Sequence, residues 1–202
     1  ELWLSHYKSG VALYYLTRLN EAENALLKAK ELHPKSGSTY HFLGMVSLAK
    51  DNNNAAEDWL LKAAELEGTS ADIWFHLGEA QMRSEQWNNA EKSLLKSYDF
   101  NSYNEETLYS LGQVYKKLGK LDRSLEYLYK FKEITEFEKN NEILSTKIRL
   151  HPSDITLRLE LATLYEDQER VDQAVMILRQ AAYLGSIEAE NKLKTLLVKN
   201  RP

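Results

Sequence analysis

The chain contains no cysteine, and only three prolines and eight glycines among 202 residues. Without cysteine there is no disulfide frame and no thiolate metal site. So few helix breakers favour long helices joined by short turns over irregular loops. No apolar run approaches the roughly 18 residues that a membrane helix needs, which argues against membrane insertion. Positive charge is not in excess either: the formal net charge is −4 and the pI about 5.8. A nucleic-acid partner is therefore not expected, since its usual mark is a basic patch or an alkaline pI. What the chain does have is apolar residues, 43% of the total, enough for a continuous core. It begins at Glu1 rather than Met, which reads as a processed or excised piece. The compartment stays open on that reading: cytoplasmic, or periplasmic or exported with its signal removed.

Spacing carries the first positive signal. Gly10, Gly44, Gly78 and Gly112 recur every 34 residues. The same period holds for Ala22, Ala56, Ala90 and Ser124, for Leu26, Leu60, Leu94 and Leu128, and for Leu43, Leu77 and Leu111. A fixed period of this length marks a small unit copied along the chain. Within the first unit, Leu13, Leu16 and Leu19 and then Ala22, Leu26, Ala29 and Leu32 fall at helical spacing. Each unit is thus expected to hold two helices of about a dozen residues around a short polar turn. Asn20, Asn54, Asn88 and Asp122 read as N-caps of the second helix. Glu23, Glu57 and Glu91, three residues on, complete a capping-box pattern. Pro34 and Gly68 read as stops. A single pair cannot bury both its faces, so the pairs must stack.

Taken together, the Leu–Gly step, the aromatic Tyr40 or Trp74 three residues before that Leu, Tyr115 three residues after its glycine, and the following Ala, Leu, Ala and Pro34 resemble the tetratricopeptide repeat. Four units are read at residues 3–36, 37–70, 71–104 and 105–138, making a module over 3–138, and a fifth at 155–188. Individual units depart from the pattern: His6 and Ser9 replace the aromatic and the Leu in the first, and Arg158 and Ala162 replace the aromatic and glycine in the fifth. The resemblance implies an all-α solenoid, a right-handed superhelix of antiparallel helix pairs whose concave groove holds a peptide or a partner's segment.

The period breaks once. Tyr165 and Asp172 stand 50 residues after Tyr115 and Asp122, a step of 34 plus 16. Residues 139–154 are read as an inserted helical extension. Two forms are open for the surrounding stretch: one helix of about 30 residues, or two with a break at Asn140 and Asn141. Sixteen residues at about 100° each would turn the helix face by about 160°, so the fifth unit is not expected to continue the first stack smoothly. Residues 189–202 read as a C-terminal capping helix, with Leu193, Leu196 and Leu197 covering the last repeat.

In this family the first helix of each pair lines the concave face. On that basis Tyr7, His41, Phe75, Tyr109 and Leu159 form one groove column, followed a turn later by Val11, Met45, Glu79, Gln113 and Thr163, and then by Tyr14, Leu48, Met82, Lys116 and Glu166. The candidate partner-binding residues are Tyr7, Val11, Tyr14, His41, Met45, Phe75, Glu79, Tyr109, Gln113 and Lys116. Rigid aromatic rings commonly anchor interfaces, although any one ring can instead pack on a neighbouring helix. The carboxylate clamp by which some family members hold a chaperone tail is not matched: Val11, Met45, Glu79 and Gln113 stand in its places, with Tyr7 and Phe42 where Lys and Asn would be expected.

No phosphate loop, nucleophile elbow or zinc helix occurs, so no catalytic, cofactor or metal residue is assigned. The histidines carry no metal pattern, and His33 and His151 read as solvated turn residues. The expected role is a non-catalytic scaffold for a protein or peptide partner. The alternatives are a docking or regulatory domain of a larger enzyme or of a secretion or assembly machine, and a self-association module that makes a homo-oligomer through the long helix or the exposed ends.

Overall fold

The computed structural model describes residues 1–199. Among them it has eleven helices and no strand. The chain divides into two compact units, Glu1–Phe131 and Lys132–Pro202.

In the first unit, four helix pairs succeed one another. The first helices are α1 (Leu2–Tyr15), α3 (Gly37–Ala49), α5 (Ala71–Arg83) and α7 (Glu105–Lys117). The second helices are α2 (Leu19–Leu32), α4 (Asn53–Leu66), α6 (Trp87–Phe100) and the opening turns of α8 (Leu121–Leu150). α1, α3 and α5 pack on their own second helices, and α2, α4 and α6 on the first helix of the next pair, while α7 meets α8 where Gly112 faces Leu128. First helices also touch in sequence, α1 with α3, α3 with α5 and α5 with α7.

The glycine column explains the tightness of each pair. A Cβ placed on Gly10, Gly44, Gly78 or Gly112 would lie 2.6, 2.5, 2.6 or 2.7 Å from the nearest carbon of Leu26, Leu60, Leu94 or Leu128. Those leucines and the alanine column are the inner wall: Ala22, Ala56, Ala90, Leu26, Leu60 and Leu94 have no exposed surface. Ser124, the polar member of the alanine column, donates its hydroxyl to the Gly112 carbonyl at 2.8 Å.

Two start signals differ from the sequence expectation. The second helices begin two residues earlier than the asparagine column suggested, with Arg18, Asn52 and Gln86 at the cap position. Asn20, Asn54 and Asn88 therefore sit inside the first turn. The reason lies in the preceding turn, where Thr17, Asp51, Glu85 and Gly119 all take a positive φ of 56–73° and reverse the chain in a single residue. The glutamate column is consequently too deep in its helix to close a capping box. It reaches the next repeat instead. Glu23 accepts from Lys50 at 2.6 Å, Glu57 from Gln81 and Gln86 at 3.0 and 2.8 Å, and Glu91 from Lys120 at 2.7 Å. Side-chain caps form on α3, α7 and α4, where Ser36, Asn104 and Asn52 accept the backbone N–H of Thr39, Thr107 and Ala55.

Residues 121–150 form one helix of 30 residues, 16 more than the 14 of α2, α4 or α6. Its later turns belong to the second unit, with α9 (Ile155–Asp167), α10 (Val171–Tyr183) and α11 (Ile187–Lys199). Here Leu144 and Ile148 of α8 pack against a core of Leu161, Ala162, Ile177, Leu178 and Ala181. The Tyr165 hydroxyl donates to Asn141 at 2.9 Å, and Arg170 lies over the Phe137 ring. From α11, Ala189, Leu193 and Leu196 join this core, whereas Leu197 is 48% exposed and does not cover it as expected. The cap expected over 189–202 extends at its end to residues 200–202, which lie outside the described residues.

Replacing Gly44 with Ala forces Leu60 and the α3–α4 spacing to give way. Gly44→Ala is expected to lose about 1–3 kcal/mol, the usual cost of an overpacked core. Urea unfolding measures it, and a variant as stable as the parent would show that the close approach is not needed.

Candidate partner-binding groove

The first helices bring ten residues of the expected groove to the first unit, in unequal settings. Val11, Met45, Phe75 and Gln113 are half-buried, Lys116 is exposed, and Tyr109 is 48% exposed with its ring 5.4 Å from Phe131. Glu79 is held by Arg83, whose guanidinium donates to it at 2.7 Å. The same guanidinium donates across the repeat boundary to the Leu48 carbonyl at 3.0 Å and lies 3.4 Å from Asp51.

At the N-terminal end the rings gather. Phe42 meets Tyr7, Tyr14 and Tyr15 edge-on, at 5.8, 6.1 and 6.5 Å between centroids, an orientation in which positive ring edges meet negative faces. Tyr15 is 70% exposed. Burial raises the pKa of both Tyr7 and Tyr14, aided at Tyr7 by the charge of Glu67 and at Tyr14 by the neighbouring Tyr15, so both stay neutral hydrogen-bond donors near pH 7. Column reasoning missed Phe42 and Tyr15. Phe42 sits one residue beyond the column chosen as groove-facing, on the side that meets the preceding first helix. The detectable signal was the run of large residues at 7, 14, 15 and 42.

His41 is bonded rather than open. Its Nε2 lies 3.0 Å from Nδ1 of His76, and that Nδ1 lies 2.7 Å from the Asp72 carbonyl. A carbonyl only accepts, so the His76 Nδ1 carries the proton and shares it between Asp72 and His41. His41 is then a neutral acceptor. Burial, and secondarily the neighbouring His76, lowers its pKa to about 4. Elsewhere His33, expected to be solvated, stacks on Trp3 at 4.6 Å and is half-buried. Trp59 and Trp74 fill space between repeats. Trp59 tilts against Tyr40 under Lys30, and Trp74 donates to the Gly68 carbonyl at 2.7 Å with Lys96 over its face. No group of three or more metal-ligating residues occurs among the described residues. None of their helices is long and apolar enough to cross a membrane.

A family model for the tetratricopeptide repeat matches residues 105–137. Over that stretch the chain matches the tetratricopeptide repeat. Solved structures share its helical architecture. A MamA structure aligns with a TM-score of 0.61 at 22% identity, covering 96% of this chain and 95% of that one. YrrB, described as having an unusual peptide-binding site, aligns at 0.59 and 19% identity over 94% of this chain and 90% of its own. TTC0263, a thermophilic tetratricopeptide-repeat protein of Thermus thermophilus, aligns at 0.56 and 18% over 97% and 99%. At these identities the likeness is one of fold. No curated protein matches the sequence.

The lowered pKa of His41 makes the stability of the protein pH-dependent. The unfolded histidine takes up a proton near pH 6.5 and the folded one only near pH 4. Its contribution is therefore complete above 6.5 and falls as the pH drops through that window, by up to about 1.4 kcal/mol per unit. Urea melts at pH 7 and pH 5 are expected to differ by more for the parent than for His41→Gln; equal differences would remove His41 as the cause.

Proposed function

We propose that the protein is a non-catalytic interaction scaffold that takes an extended or helical segment of a protein partner along the first helices of residues 3–138. The observation that carries this reading is the aromatic nest of Tyr7, Tyr14, Tyr15 and Phe42, open to solvent at Tyr15, with Met45, Phe75 and Tyr109 along the following helices. Rings of this kind give large, rigid contacts with little entropy to lose. The groove grows polar toward α7, where Gln113 and Lys116 offer donors to a peptide backbone or carboxylate. YrrB, with the same fold, has an unusual peptide-binding site, which supports a peptide-binding role here. The clamp positions hold Val11, Met45, Glu79 and Gln113 rather than a basic set, so the preferred segment is apolar and aromatic-matching rather than an acidic tail. Replacing Tyr15, Phe75 and Tyr109 together with Ala is expected to abolish capture of a partner held by the parent, with helical content unchanged by circular dichroism. Undiminished capture by the folded variant would end this reading.

A second reading, self-association, draws on α8. At position 125 a leucine replaces the glutamate that ties each earlier pair to the next, and Leu121, Leu125 and Tyr129 are 62, 67 and 63% exposed. They fall at i, i+4 and i+8 on one helix face, and an apolar stripe of that kind marks a contact surface. Multi-angle light scattering at rising concentration is expected to show dimers for the parent and monomers for Leu125→Glu; a parent that stays monomeric disposes of this reading.

A further inference from the structure

One buried charge in the second unit has no counter-charge. Arg158, in the first turn of α9, is 8% exposed. It holds the place that Tyr40, Trp74 and Leu108 hold in earlier units. That place lies one residue before the groove column, so its side chain leaves the helix about 100° away from the groove. Trp74, in the same place, donates to the Gly68 carbonyl and lies under Lys96. With Arg158 there, the surface holds a cleft of about 370 Å³. Its lining is Arg158 from α9 and, around the end of α10, Arg179, Gln180, Tyr183 and Leu184.

This lining contains two arginines and no carboxylate. In the earlier units, Glu31, Glu65, Asp99 and Glu133 form an acidic column on the second helices with the period of 34. The fifth member of that column is Tyr183. The acid is thus missing from the one unit that carries arginine at these two places. Neither Arg158 nor Arg179 forms an ion pair among the described residues. Nη1 of Arg158 donates to the Asp154 carbonyl at 2.9 Å, while the Asp154 carboxylate is turned to the Leu157 N–H. Nε of Arg158 is shut off from solvent and has no partner. Nη2 is neither sealed nor hydrogen-bonded among the described residues, and it is the nitrogen that a ligand reaches. A guanidinium does not shed its proton. Its burial therefore costs free energy until an anion neutralises it. As a cation in the first turn it also opposes the dipole of α9.

We propose that this cleft binds a phosphate group, held between Arg158 and Arg179 with Gln180 and Tyr183 as further donors. The planar fork of arginine matches pairs of phosphate oxygens. Two full positive charges with no acid between them suit a dianion better than a singly charged carboxylate. The phosphate is carried either by the free ion or by a phosphorylated side chain. The site lies off the groove and does not rest on the scaffold reading.

The test follows amide shifts in the NMR spectrum of the whole chain. The probes are inorganic phosphate and O-phosphoserine, each against chloride at matched ionic strength. Saturable shifts are expected around Arg158 and along Arg179 to Leu184, absent with chloride. Tighter binding of inorganic phosphate assigns the site to the free ion, and tighter binding of phosphoserine to a phosphorylated side chain. Arg179→Gln, at an exposed position, is expected to weaken binding about tenfold, the worth of one charge-assisted hydrogen bond. Arg158→Leu restores the apolar residue of the fourth unit and is expected to abolish binding while helical content by circular dichroism is kept. Affinity for phosphoserine is expected to fall between about pH 7.5 and 5.5, as the second proton returns near pH 6. No saturable shift with either probe, the same shifts with chloride, shifts confined to other residues, or binding that survives Arg179→Gln undiminished would overturn the proposal.

Discussion

Each helix pair depends on the contact between a glycine on the first helix and a leucine on the second. The leucine carbons stand 2.5–2.7 Å from where a glycine Cβ would be, a distance no real side chain tolerates. The missing Cβ lets the two backbones come close enough for the alanine column to close the remaining gap with no exposed surface at Ala22, Ala56 and Ala90. Packing at this density transmits small changes. Because the contact repeats every 34 residues, so do the positive-φ residue at 17, 51, 85 and 119 and the glutamates that reach the following pair.

The inter-repeat contacts are of a different kind from those within a pair. Buried apolar side chains such as Val46, Ala80 and Val114 supply the area, while the partly exposed Glu23–Lys50 and Glu91–Lys120 pairs add orientation more than energy. Buried hydroxyls are paired both at a seam, as Ser97 is with Thr107, and within a pair, as Ser93 is with Gln81. Three buried side-chain atoms, Asn53 Oδ1, Arg158 Nε and Glu166 Oε1, have no such partner among the described residues.

Residues on the first helices divide between building the stack and facing outward, and the difference is one helical position. Tyr7 and Phe42 meet edge-on between neighbouring first helices, and His41 is tied to His76, so part of the aromatic column serves packing. Tyr15 and Tyr109 remain open, as does Lys116. An aromatic ring on this face is useful to a partner only after its structural duties are met.

The helix pairs and their period were legible in the order of residues alone, because the close approach in the first four pairs excludes a Cβ and so writes glycine into the chain at 10, 44, 78 and 112, with Ala162 in that place in the fifth. The 16-residue insertion was legible as well, but whether residues 121–150 make one helix or two was left open by the order of residues and is settled by the single helix α8. Capping was misread from sequence at Asn20, Asn54 and Asn88, because the single positive-φ residue before each helix moves its start, and backbone reversal of that kind needs no distinctive side chain at Thr17 or Glu85. It took the packed helices to settle which rings stay open, that Phe42 joins three tyrosines, that His41 is a neutral acceptor, and that one oxygen of Glu166 has lost its water. Each of these depends on which helices lie opposite one another, a matter of distances between residues 30 or more apart in several cases, and a one-dimensional pattern of polar and apolar residues does not carry them.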